Sequence, residues 1–390
     1  MTRARTVGAP GADRGRGPAT LARLRVLEIG DVAMFKQAAP AGTELVWTGH
    51  RDDVEGVGAL TPFGLRQLPR LRRALDRAEF DLVIGHPPAE PPWHPARVAR
   101  LLRRYGLRAP ALVARGLGIR LLLRSTRTPL AIVDLADAPA ISPHNVALLD
   151  RARVYFKREL PEDRRTLFDE LVARGGPPGA GGSRVAGWCA KLAPISLAVS
   201  PARADEIGLA TTPPPGKSVD LFFAGRLDTS PIRAAGLPEL RALAREGMRV
   251  DVATERLPRP EFYRRCARAW IVWSPAGYGW DCFRHYEAPL CGSVPLMSQP
   301  SVERHAPLRA AEHALYYQVA PGDLGRVARA ALEDRPKLGR MAAAAREHVL
   351  GHHTLERVCE HVAHACLSDD APARSVLPGS GAVTARAEPA

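Results

Sequence analysis

Short apolar runs alternate with helix-length segments along nearly the whole chain, and the alternation occurs in two successive series. A strand that is apolar throughout, followed by a segment long enough to cross back over it, belongs in a parallel sheet covered on both faces. The first series predicts strands at Leu24–Ile29, Glu44–Thr48, Asp81–Ile84, Leu130–Leu135 and Val154–Phe156, with helices over Phe63–Arg77 and His94–Tyr105. The second predicts strands at Ser218–Phe223, Arg249–Ala253, Trp270–Trp273, Val294–Met297 and Ala314–Val319. Its helices are Ile232–Arg245, Glu261–Ala269, Cys282–Cys291, Ser301–Glu312 and Asp323–Glu333, closed by Leu338–Leu350 and Leu355–Leu367. The expected fold is α/β: two Rossmann-like domains, 21–205 and 206–367, joined near Pro201–Lys217 and facing across a cleft. Ligands then belong at the C-terminal ends of the strands. The ends, 1–20 and 368–390, are rich in Gly, Pro, Ala, Ser and charge and read as disordered, and 175–182 reads as a flexible loop.

Composition narrows the function. The net charge is +14, and Arg supplies it, with Lys at only five positions. Arg is a planar fork suited to phosphate, although codon bias toward Arg and Ala gives the same count. The chain has no zinc-finger spacing, no RNA-binding aromatic signature and no basic region joined to heptads, so nucleic acid is not expected as a partner. Residues 94–127 hold nine Arg and no acid. They form either a solvated basic face or one that rests on an anionic membrane. The six Cys include no CxxC pair, the first 20 residues lack the apolar core of a secretory signal, and no apolar run reaches a membrane span of about 18 residues. The expected location is cytoplasmic, with peripheral membrane contact as the variant.

Two apparent motifs are set aside. Gly216-Lys217-Ser218 ends like a P-loop, but Thr211 stands where its first Gly belongs and the segment precedes a strand. Cys359, His361, His364 and Cys366 split over two helix faces and do not converge on one ion.

The informative stretch runs from Trp270 to Pro295. A buried strand ends at Ser274, and Pro-Ala-Gly277-Tyr278-Gly279-Trp-Asp281 follows before a helix. Gly277 and Gly279 allow close approach of backbone N–H groups to a ligand. Asp281 is placed to cap the helix, whose N-terminus favours an anion. Arg284 reaches toward the same place, and Glu287, three residues on, offers two acceptor oxygens suited to ribose hydroxyls. The alternative is that Arg284 and Glu287 pair with each other.

Ser-Pro-x-Gly-x-Gly-x-Asp-Cys-x-Arg-x-x-Glu-Ala, followed by Gly-Ser-Val-Pro, resembles the nucleotide-sugar segment of exostosin-like (family 47-like) glycosyltransferases, and more loosely the C-terminal domain of GT-B transferases. Asp220–Arg226 with Arg233 resembles their first C-terminal strand and phosphate-facing loop. The resemblance covers roughly 215–350. It implies that Glu287 binds the nucleotide ribose, that Arg226, Arg284 and the Gly277–Gly279 amides hold the diphosphate, and that Gly225, Arg233, Ser274, Tyr278 and Asp281 complete the nucleotide-sugar site. It implies a nucleoside-diphosphate sugar as donor, no essential metal and no further cofactor; the chain has no Asp-x-Asp. It departs at Gly279, where many retaining GT-B enzymes carry a second Glu, and in that no apolar run here is expected to serve as the membrane anchor of animal and plant exostosins.

The N-terminal half should bind the acceptor. The residues just past its strands supply candidates for a general base, Asp134, Asp137 and His86, with Asp31 also present, and Lys157 and Arg158 for an acidic acceptor group. The sequence reads as a glycosyltransferase. The rivals are a sugar-nucleotide 2-epimerase and a non-catalytic relic that binds a nucleotide or partner.

Overall fold

The computed structural model describes residues 21–49, 53–60, 63–88, 93–169, 171 and 182–368. The N-terminal domain is built on β1 (Val26–Gly30), β2 (Thr43–Trp47), β5 (Leu82–Gly85), β6 (Leu130–Asp134), β7 (Val154–Lys157) and β8 (Leu192–Pro194), with a two-stranded ribbon of β3 (Asp53–Val54) and β4 (Gly58–Ala59) beside it. The six main strands are parallel, in the order β2-β1-β5-β6-β7-β8.

Period-two alternation sends Leu27, Ile29, Val83, Ile132 and Tyr155 to one core. Val26, Leu82, Ile84, Val133 and Phe156 face the other. The first core is covered by α2 (Leu68–Asp76), α4 (Ala109–Ser125), α5 (Val146–Arg151) and α6 (Gly182–Ala190). Near the second lies α1 (Met34–Ala38). The Arg-rich stretch is two helices, α3 (Pro95–Tyr105) and α4, broken at Gly106, whose φ of +52° suits glycine. Leu107 at the break is 100% exposed and Leu121 68%.

The C-terminal sheet is β9 (Val219–Ala224), β10 (Val250–Ala253), β11 (Ala269–Ser274), β12 (Val294–Ser298) and β13 (Leu315–Tyr317), all parallel, in the order β10-β9-β11-β12-β13. The helices of this half are α7 (Pro201–Thr211), α8 (Pro231–Arg245), α9 (Arg259–Arg268), α10 (Arg284–Leu290), α11 (Asp323–Leu332) and α12 (Arg335–His352). Leu221, Phe223, Ile271 and Trp273 pack toward α8, α11 and α12, whereas Phe222, Val272 and Met297 pack toward α7 and α9. Both domains are Rossmann-like, the GT-B arrangement. In each, the first two strands run in the reverse order to the rest, and this creates a crevice at the switch point.

The sequence reading needs correction in three places. Ser301–Glu312 is not helical: Pro307 lacks an N–H, Ala306 and Ala311 have φ of 40° and 60°, and Glu303 N–H donates to Leu160 O at 2.7 Å. The three-residue β8 and the β3–β4 ribbon are additional strands. Finally, α13 (Leu355–Leu367) does not close the C-terminal domain but packs beneath the N-terminal sheet through Leu355, Val358, Cys359, Val362 and Cys366. The chain therefore crosses between the domains twice, and the crossings are bonded to each other: Val199 N–H to His353 O and Leu355 N–H to Val199 O, both at 2.9 Å. No helix among the described residues is long and apolar enough to cross a membrane.

Candidate functional site

In the C-terminal sheet the switch point falls between β9 and β11, so the crevice opens beyond Ala224 and Ser274. Two guanidiniums meet there. Arg233, in the first turn of α8, donates from Nε to Ala276 O (3.2 Å) and from Nη1 to Arg226 O (3.2 Å) and Thr229 Oγ1 (2.7 Å). Arg284, at the start of α10, donates from Nη2 to Ala224 O at 2.8 Å, while its Nε and Nη1 are buried with no partner. Gly225 separates the two: a Cβ there would lie 2.9 Å from Arg284 Nη2 and 3.6 Å from Arg233 Nη1. Burial lowers the Arg233 pKa, and the neighbouring Arg284 charge lowers it further. Two cations pressed together with unused buried donors are costly unless an anion joins them.

Glu287 is 8% exposed and does not pair with Arg284. Its Oε1 accepts from Arg203 Nη1 (3.2 Å) and from Tyr263 Oη (3.3 Å), and burial raises its pKa against the pull of Arg203. Arg203, on α7, lies 4.0 Å over the Phe283 ring. Arg203 is not legible as a partner of Glu287 in the sequence, because its role depends on α7 crossing from the linker to α10.

Several expected ligands have other tasks. Helix α10 has seven residues, and Phe283 at its start makes no side-chain cap. Asp281 instead accepts from Leu197 N–H (2.8 Å) and Tyr286 Oη (2.7 Å), anchoring the linker. Ser274 is fully buried, its carbonyl accepting from His285 Nε2 at 3.1 Å. Gly277 N–H is spent on Gly279 O at 2.8 Å, and Tyr278 is largely exposed. The side chain of Arg226 faces solvent and pairs with Asp228. Cys282 lies in the same loop, its Sγ 3.4 Å from Ser274 Oγ. Burial alone would raise its thiol pKa, but the His285 imidazolium and Arg284 bring it down to about 6.

The base candidates of the N-terminal domain have partners of their own. His86 is fixed between Val133 O (3.2 Å) and the buried Glu28 (3.0 Å), which also accepts the N–H groups of Met34, Phe35 and Lys36. Asp134 accepts from Tyr155 Oη (2.7 Å) and Lys157 Nζ (3.1 Å), and Lys157 is fully buried. Asp137 pairs with Arg158. Asp31 is exposed beyond β1. A cavity of about 560 Å³ lies between the domains, lined by Val32, Met34, Gln37, Leu135, Arg203 and Phe283 among others. Among the described residues no cluster of three or more His, Cys, Asp or Glu is placed to hold a metal.

No family model and no curated protein matches the chain. Solved structures do. Anabaena HepE, in complex with UDP-glucose, is 15% identical, with a TM-score of 0.45 over 88% of this chain and 99% of that one. Sucrose-phosphate synthase from Thermosynechococcus elongatus is 11% identical, with a TM-score of 0.47 over 87% and 98%. The α,α-trehalose 6-phosphate synthase from Burkholderia multivorans is 12% identical, with a TM-score of 0.49 over 87% and 95%.

Proposed function

We propose that the chain is a GT-B glycosyltransferase, exostosin-like in its donor domain, that moves a sugar from a nucleoside-diphosphate donor to a hydroxyl-bearing acceptor. The observation that carries this reading is the pair of buried, unpartnered N–H groups of Arg284 beside Arg233 at the switch point. A diphosphate placed there would satisfy both donors and separate two like charges. The same groups would stabilise the negative charge that grows on the leaving diphosphate as the glycosidic bond breaks. The Glu287 oxygen that Arg203 and Tyr263 leave unused would accept from the ribose. The acceptor would enter the interdomain cavity, whose Val32, Met34 and Leu135 suit a molecule with an apolar flank and whose lining includes one carboxylate, Glu55. Charge neutralisation by Arg makes the reaction independent of a metal. The α3–α4 hairpin is the surface we assign to peripheral contact with an anionic membrane, and the six free thiols elsewhere in the chain suit a reducing, cytoplasmic setting.

The test is incubation with radiolabelled UDP- and GDP-sugars, with and without EDTA. Release of nucleoside diphosphate that persists in EDTA supports the reading. Epimerised donor without release supports the epimerase instead. Loss of release in EDTA, restored by Mn²⁺, overturns metal independence.

A further inference from the structure

The loop that frames the Arg284 site is shaped from the opposite domain. Glu159 lies two residues beyond β7 and is 2% exposed. Its Oε2 accepts from Trp280 N–H at 2.8 Å and its Oε1 from Asp281 N–H at 3.0 Å. Oε1 also lies 3.5 Å from Arg158 Nε. Position 279 makes room for this carboxylate: a Cβ on Gly279 would sit 2.4 Å from Glu159 Oε1 and 2.6 Å from its Cδ. No side chain fits at 279 unless Glu159 withdraws.

The two N–H groups belong to the turn between Gly277, where an added Cβ would lie 2.7 Å from Arg233 Nη2, and Arg284. Amides there need an acceptor, and an ionised carboxylate is the strongest available. Burial raises the Glu159 pKa, and these two N–H bonds oppose that rise. Separation of the domains would hand both amides to water and free the turn. Other bonds hold the domains together without touching it: Arg164 grips Glu303 at 2.6 and 2.7 Å, and Pro161 bridges to Val302.

We propose that Glu159 is a positioning residue that couples domain closure to the shape of the donor site, so that the nucleotide binds well only when the N-terminal domain is docked. The inference rests on the donor reading above. It makes Glu159 and Gly279 one device: a carboxylate from one domain and the vacancy that receives it in the other.

The test is calorimetric titration of UDP, GDP, ADP and TDP into the full-length protein, its Glu159→Gln and Gly279→Ala variants, and Glu303→Gln as control. Gln keeps the shape but turns an NH₂ toward one of two N–H donors. With the nucleotide that binds wild type best, Glu159→Gln and Gly279→Ala should each bind at least 10-fold more weakly. Glu303→Gln keeps the domains docked through Glu159 and the Pro161–Val302 bridge, so it should stay within about 2-fold even though it lowers the melting temperature. A merely structural role for Glu159 would weaken stability in all three variants without this split. Small-angle scattering of the unliganded proteins should show Glu159→Gln more extended than wild type, and nucleotide should fail to compact it. Wild-type affinity in Glu159→Gln and Gly279→Ala overturns the coupling while leaving the donor reading intact, as does an equal loss in Glu303→Gln. If wild type binds no nucleotide, the donor reading falls and the coupling with it. If Glu159→Gln does not fold, Gly279→Ala tests the same contact from the other side.

Discussion

Arg284 and Glu287 show how far a motif can be read from one sequence. Their spacing is visible, but their partners are not, because Arg203 and Ala224 reach them from other elements. An exposed helical pair would contribute only about 0.3–0.5 kcal/mol. The observed Arg203–Glu287 bond is largely buried and charge-assisted, so Arg203→Met should lower unfolding free energy in urea by about 1.5–3 kcal/mol. A loss below about 0.5 kcal/mol contradicts the burial described. Cys282 allows a second test. At pH 7 iodoacetamide should alkylate it faster than Cys189, whose thiol burial raises, and bound nucleotide should slow the reaction. Equal labelling of the two by mass spectrometry would contradict the assignment. The buried partners of His86 and Asp134 were hidden for a related reason: a polar residue after a strand looks the same whether it faces a cleft or a buried network.

At the scale of elements, long apolar runs were legible and short or interrupted ones were not. Strands β1, β6 and β11 are mostly apolar and almost wholly buried over five or six residues and appear where expected. Leu192-Ala-Pro is too short to stand out. Residues 301–312 contain good helix formers, yet tertiary contacts hold them: Arg304 lies 5.3 Å over Trp280, and His305 stacks on His361 at 4.0 Å. This segment belongs to a histidine cluster between α12, α13 and the irregular loop. His353 donates from Nε2 to Ala306 O at 2.9 Å and accepts at Nδ1 from Ser196 Oγ at 2.9 Å, an arrangement that suits the neutral ring. Burial first, and then neighbouring histidine charge, lowers His305 to about 2, while burial lowers His353 to about 3 and His361 to about 4. A folded pKa below the unfolded value of about 6.5 means that protonation favours the unfolded chain. Stability is therefore intact above about pH 6.5 and is lost as pH falls from there toward those folded values. Each group steepens the decline by up to about 1.4 kcal/mol per pH unit. Urea unfolding at pH 7.5, 6.0 and 5.0 should show the decline, and His305→Gln should make it shallower. A flat profile from 7.5 to 5.0 contradicts neutral burial.

At the scale of the molecule, the alternation of strands and helices conveyed two Rossmann-like units, because each strand needs cover on both faces. It did not convey that the last helix returns to the first domain, since the apolar stripe of α13 fits either core. Truncation after His352 should therefore disrupt the N-terminal domain and not the C-terminal one. Limited proteolysis would reveal this, with cleavage falling before Leu197; a protease-resistant N-terminal half would contradict the packing of Leu355, Val358 and Val362 on its sheet. The central claim is an anion site at the switch point of the second domain, built from Arg284 and Arg233. Its most direct measurement is calorimetric titration of UDP, GDP, ADP and TDP, in EDTA, into wild type and Arg284→Ala. At least one nucleotide should bind wild type, and Arg284→Ala should lose at least 10-fold in affinity for it. Equal affinity in the two proteins, or no binding by either, would contradict the site.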